Sequence, residues 1–229
     1  MPNNFQNILP DPNYGLTSGG GAGTDYYGPG FASMKLSSQR PIMRDRTNSG
    51  RVISRANMYH KWSIDINYNP MTKEQFLPVY SFLMEKQGSL KPFFISLPQY
   101  RNQTSGASVV GVRNVVNAGS TLFEVDTTEE LTPGMLFHID DSTDSNHTKA
   151  YTISVVETSN DYFTDRGAPP AGVARVTVSP ALAKNVSASA TLELDAPLIQ
   201  VVQTSDVQEY SLGSNGLYAF NLKVEEVTY

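Results

Sequence analysis

Asp140, Asp141, Asp144 and Asn146 form the one cluster in this 229-residue chain whose spacing suits a hard cation, which takes several oxygen ligands close together. The run fails the helical calcium-loop pattern, with Ser145 where glycine makes the turn and Tyr151 where the bidentate acid belongs. A solvated loop tip accounts for it, and no metal site is expected. The histidines His60, His138 and His147 fall in no zinc-binding spacing. With no cysteine, disulfides, thiolate metal sites and cysteine nucleophiles are excluded. There is no nucleophile elbow and no P-loop, and the glycines at Gly19–Gly23 precede no helix-like segment, so nucleotide binding has no support. A carboxylate pair such as Asp65 with Glu225 would serve glycoside hydrolysis only at a separation that sequence does not fix, and nothing distinguishes it among 22 acidic residues. No enzyme, catalytic residue or cofactor is expected.

Charge is more informative than chemistry. Lys35, Arg40, Arg44, Arg46, Arg51, Arg55 and Lys61 face Asp45 alone between positions 35 and 61, a net +6 in a chain of net −5. The rest of the chain is therefore strongly acidic, and copies of it could attract one another, basic segment to acidic surface. A solvated basic loop is the plainer reading. Tyr59 and Trp62 beside the arginines would also suit single-stranded nucleic acid, but Trp62 lies on an apolar strand face, where a core role is stronger.

The elements that hold these residues read as mainly β. Seventeen Gly and 14 Pro punctuate short runs rich in Val, Ile, Thr, Tyr and Phe. Residues 1–30 are polar and glycine-rich, with no apolar period, no signal-peptide core and no core-forming capacity; they read as an arm, a free tail or a strap on a neighbouring subunit, the latter favoured by Tyr14, Tyr26, Tyr27 and Phe31. No run is long and apolar enough to span a bilayer. From Lys61 to Tyr68, Trp62, Ile64, Ile66 and Tyr68 alternate with polar residues, predicting a half-buried strand. A helix follows, capped by Thr72 with Gln75, stapled by Met71 to Phe76 and stopped at Gly88; Pro78 inside it predicts a kink or a late start. Residues 91–98, KPFFISLP, predict a buried strand beneath that helix.

Residues 105–195 change character, being richer in Thr, Ser, Ala and Val, and read as an inserted small β domain. Its strands are expected near 108–116, 121–126, 135–139, 150–157, 174–178 and 190–194. Apolar Leu198–Val202 and the alternation Tyr218, Phe220, Leu222, Val224 close the chain. Residues 31–104 and 196–229 thus make one core domain, a sandwich or barrel interrupted by the insertion.

The segments WSIDINYNP, EQFLPVYSFLMEKQG, KPFFISLP and GLYAFNLKVEEV resemble the distal tail and minor tail hub proteins of tailed bacteriophages. The insertion, through AGSTLFEVDTTEELTPGMLFHI, KAYTISVVE and ARVTVSPALAKNV, is similar to a small β module of phage tail proteins. The resemblance spans about residues 50–229, and the glycine-rich arm departs from it. It implies a tail-tube-like β-sandwich with a flanking helix, assembled as a homo-hexameric ring. That ring would join the tail tube protein to baseplate or hub proteins in the virion, assembled in the host cytoplasm, with DNA crossing the lumen without specific binding and no membrane partner. Arg40, Arg44, Arg46, Arg51 and Arg55 are then expected on a loop or hairpin that crosses to the next subunit. The alternative is a carbohydrate- or receptor-binding tail module, using exposed Tyr100 or Tyr162; a cell-wall hydrolase lacks a visible acid pair.

Overall fold

A computed structural model of the protein describes residues 7–10, 31–56, 59–100, 103, 109–127, 131–143, 147–159, 161, 167–195 and 197–227. In chain order the elements are β1 (Phe31–Gln39), β2 (Ile42–Arg46), β3 (Val52–Ala56), β4 (Lys61–Tyr68), α1 (Lys73–Lys86), β5 (Phe93–Ser96), a short 3-10 turn (Pro98–Tyr100), β6 (Val109–Val112), β7 (Leu122–Asp126), β8 (Leu136–Asp140), β9 (Ala150–Glu157), β10 (Val173–Ser179), β11 (Thr191–Glu193), β12 (Leu198–Gln203), β13 (Tyr210–Leu212) and β14 (Tyr218–Glu226). The fold is mainly β, as the punctuated apolar runs predict. Two compact units result: Ile95–Gln200, and the chain before and after it.

The flanking unit is built on a sheet of order β1-β4-β14-β12-β5, with β13 also pairing β14. Alternation gives the sheet two unlike faces, because successive side chains of a strand point oppositely. On one, cross-strand register lines up Met34, Ile66 and Leu222 in one row and Leu36, Ile64 and Val224 in the next. Ile64, Ile66, Leu222 and Val224 are buried, and full burial of such a side chain stabilises by about 1.5–3 kcal/mol. The other face is polar, with Lys35, Asp65 and Lys223 aligned, then Ser33, Asn67 and Asn221.

Helix α1 presents Phe76, Val79, Phe82 and Leu83 to the core. Phe82 meets Phe93 of β5 edge-on at 5.5 Å, which puts β5 beneath the helix as its apolar run predicts. The expected capping box is present, with Gln75 Oε1 accepting the Thr72 N–H at 3.1 Å. Met71 is buried and exchanges backbone hydrogen bonds with Tyr218 at 2.9 and 2.8 Å. Pro78 does not delay the helix, which runs unbroken from Lys73. A proline there forfeits one backbone bond, and the buried side chains on both sides outweigh that loss.

The stop comes one residue early, at Gln87 in the left-handed region (φ 54°), followed by Gly88 at φ 66°. A Cβ on Gly88 would stand 2.7 Å from Asp206 Oδ1 and 3.1 Å from Asp206 Cα. Gly88→Ala should therefore cost roughly 1–3 kcal/mol, through backbone strain together with that clash. Urea unfolding followed by fluorescence of Trp62, the chain's one tryptophan, would measure it.

Of the expected N-terminal arm, residues 7–10 are among those described. Leu9 donates its N–H to Phe94 O at 2.8 Å and Phe94 donates to Asn7 O at 2.7 Å, so this short piece lies parallel along the edge of β5 with Leu9 buried. An open strand edge offers backbone partners that composition does not reveal. The aromatics Tyr14, Tyr26 and Tyr27 lie outside the described residues.

The second unit is a closed barrel in the order β10-β7-β6-β11-β8-β9, with β9 returning to β10. Its interior is filled by inward-facing residues such as Val112, Val125, Phe137, Ile139, Tyr151, Ile153, Val176 and Leu192. All six strands expected from the alternation of this region occur with ends within a residue, except that β6 stops at Val112, well short of the expected 116.

Asp141, considered above for a cation, serves this barrel. Its Oδ1 accepts from Thr143 N–H (2.9 Å), Thr143 Oγ1 (2.7 Å) and Ser187 Oγ (2.8 Å), and its Oδ2 from Ser187 N–H (2.8 Å). Burial pushes the carboxyl up, but these four donors outweigh it and hold the group far below the usual carboxylate range. A depressed acid stabilises fully above its unfolded value of 3.8 and loses that stabilisation as pH falls towards its folded value. Thermal melting should fall progressively below about pH 4, and Asp141→Asn should flatten that dependence while lowering stability at neutral pH. Asp144 and Asn146 lie outside the described residues, among which no cluster suited to a metal ion occurs.

Candidate functional site

The basic segment folds into a hairpin of β2 and β3 that pairs with no other strand among the described residues. Its turn explains its register. Gly50 donates its N–H to Thr47 O at 2.8 Å, closing a tight turn, and then takes φ 83°. Thr47 N–H reaches Arg51 O at 3.0 Å, while Thr47 Oγ1 accepts the Arg51 N–H at 3.2 Å. This is a three-residue loop with glycine at the left-handed position, which matches the right-handed twist of the strands.

Directly opposed residues of an antiparallel pair share a face. Register places Arg44 opposite Ser54 and Arg46 opposite Val52, with Ile42 on the same side; Met43 opposite Arg55 and Asp45 opposite Ile53 make the other. The first face carries two arginines and no acid, whereas on the second Arg55 is balanced by Asp45. Every residue of β2 is exposed, and so are Val52–Arg55. Four apolar side chains stand out, Ile42 (47% exposed), Met43 (68%), Val52 (59%) and Ile53 (53%). Apolar groups are thus presented on both sides of this two-stranded ribbon.

Of the five arginines singled out from sequence, Arg44, Arg46 and Arg55 lie on the strands, Arg51 closes the turn, and Arg40 lies in the connection from β1. The apolar residues between them were not singled out; their signal is the alternation with arginine in IMRDR and RVISR.

The other candidates fare differently. Trp62 is buried against His60 with ring centroids 4.8 Å apart, in the core rather than on a stacking platform. Lys61 Nζ pairs with Glu225, a hydrogen bond and charge contact that raise the lysine pKa despite partial burial, so Glu225 is engaged in an ion pair. Asp65 lies between Lys35 and Lys223 in register. Tyr100 is half-buried in the 3-10 turn, and Tyr162 lies outside the described residues.

Residues 21–100 match the family model described as distal tail protein pb9, A domain, N-terminal. This stretch is similar to a distal tail protein A-domain segment. The match takes in the hairpin, β4, α1 and β5, and it supports a structural role in a phage tail, hence a place in the virion. No curated protein matches the chain.

Proposed function

We propose that the chain is a non-enzymatic ring subunit of a phage tail, six copies closing around the DNA channel and joining the tail tube protein to baseplate or hub proteins. The observation that carries this reading is the hairpin, a basic and apolar two-stranded ribbon whose strands pair only with each other among the described residues. A ring needs two unlike patches on each copy, one to reach and one to receive, and the hairpin supplies the first. The polar sheet face, where Asp65 lies between Lys35 and Lys223, suits a lumen that DNA crosses without specific contacts. Assembly would take place in the host cytoplasm.

Mass photometry tests it: a 25.1 kDa chain should give a species of about 150 kDa, and Arg44→Glu, Arg46→Glu and Arg55→Glu together should return it to the monomer. Rings that survive the triple substitution at physiological salt would remove the hairpin from the interface.

A further inference from the structure

The surface that would receive the hairpin can be sought on the same unit, because closed rings of one chain need the complement of the ribbon on every copy. The complement must be apolar and acidic, exposed, and already ordered. One region combines these properties. Between β12 and β13 the chain leaves the ladder for residues 204–209 before Tyr210 pairs with Phe220. Val207 (67% exposed), Tyr210 (49%) and Leu212 (57%) stand out along it, with exposed Asp206 and Glu209 among them. Among the described residues, β13 pairs with β14 alone.

This shelf is held from below. Asp206 Oδ1 accepts from Ser89 Oγ at 2.9 Å and from Ser89 N–H at 3.3 Å. Gln208 donates to Leu83 O at 3.2 Å and to Gln203 Oε1 at 2.9 Å. The Tyr210 ring lies 5.0 Å from Phe76 and 5.4 Å from Tyr80. Little ordering would be required of it on binding.

We propose that the Ile42, Arg44, Arg46 and Val52 face of the hairpin seats on the Val207–Leu212 shelf of a second copy, with Asp206 and Glu209 opposite the arginines. This deepens the ring reading and rests on it. The two patches differ, so the contact is head-to-tail and propagates round a ring instead of ending at a dimer. Charge complementarity decides for a second copy as the occupant, since the same chain carries both the basic ribbon and its acidic counterpart.

The chain has no cysteine, so engineered thiols are unambiguous. Val52→Cys protein is mixed with Leu212→Cys protein and treated with a short bis-maleimide; a control mixture pairs Val52→Cys with Val109→Cys, an exposed position on the barrel. Cross-linked dimer at roughly tenfold the control yield is expected. Equal yields from mixtures that still form the 150 kDa-class ring overturn the shelf and leave the ring reading intact, whereas failure of the unsubstituted chain to form rings at all overturns both. Independently, Arg46→Glu and Glu209→Arg should each weaken assembly roughly tenfold and restore it when combined. Restoration is decisive, because misfolding of either single variant would not be repaired by the other; two additive defects would overturn the pairing.

Discussion

Arg175→Met is expected to weaken the barrel by about 3–5 kcal/mol, the cost of removing one member of a buried ion pair. Arg175 lies on β10 directly opposite Glu124 of β7 and Glu157 of β9. It donates to Glu124 Oε1 and to Glu157 Oε2, each at 3.1 Å, and to Gly167 O at 3.2 Å. Glu157 is fully buried, so its charge cannot turn to water when the guanidinium is removed. Methionine keeps most of the stem and its packing, so the loss reads the charge and not the volume. Hydrogen exchange over residues 173–179 would show it as faster opening. Adding Glu157→Gln should recover much of the loss; no recovery would move the effect from electrostatics to packing.

Phe76→Ala should cost the sheet-and-helix unit a similar amount, about 3–5 kcal/mol, as for other large-to-small changes at fully packed aromatic sites. The Phe76 ring stacks on Tyr218 at 4.7 Å and on Tyr80 at 5.2 Å, and lies 5.0 Å from Tyr210 and 6.0 Å from Phe220. It therefore ties α1 to β13 and β14 together, and its removal leaves a void that four rings cannot all collapse into. Urea unfolding followed through Trp62 is the measurement. Phe76→Leu, which fills much of the space, should lose distinctly less; equal losses would mean that ring stacking and not volume dominates.

The parts of this fold that were legible in the sequence are those where burial imposes a period. β4 and β14 alternate cleanly because one face packs and the other is wet, and the barrel strands do so because a closed sheet has an inside and an outside. β1 was not legible: in FASMKLSSQ a register shift after buried Phe31 breaks the alternation, and Met34 and Leu36 are merely half-buried at an outer edge. The three-residue β13 has no buried residue, and only pairing defines it. Asp141 looked like part of a solvated acidic tip, because the donors that claim it include Ser187, distant in sequence. The arginines were visible as a charge imbalance. Their placement on a ribbon, and the division of that ribbon into a basic face and a neutral one, required the register that Gly50 sets.

That turn also bears on how fast copies could join. A ribbon whose strand pairing is fixed by its own loop has already lost its backbone entropy when the subunit folds, so encounter with another copy involves no concerted folding step. The rate of joining is then governed by diffusion and by orientation under the arginines' field, and it should fall as added salt screens that field.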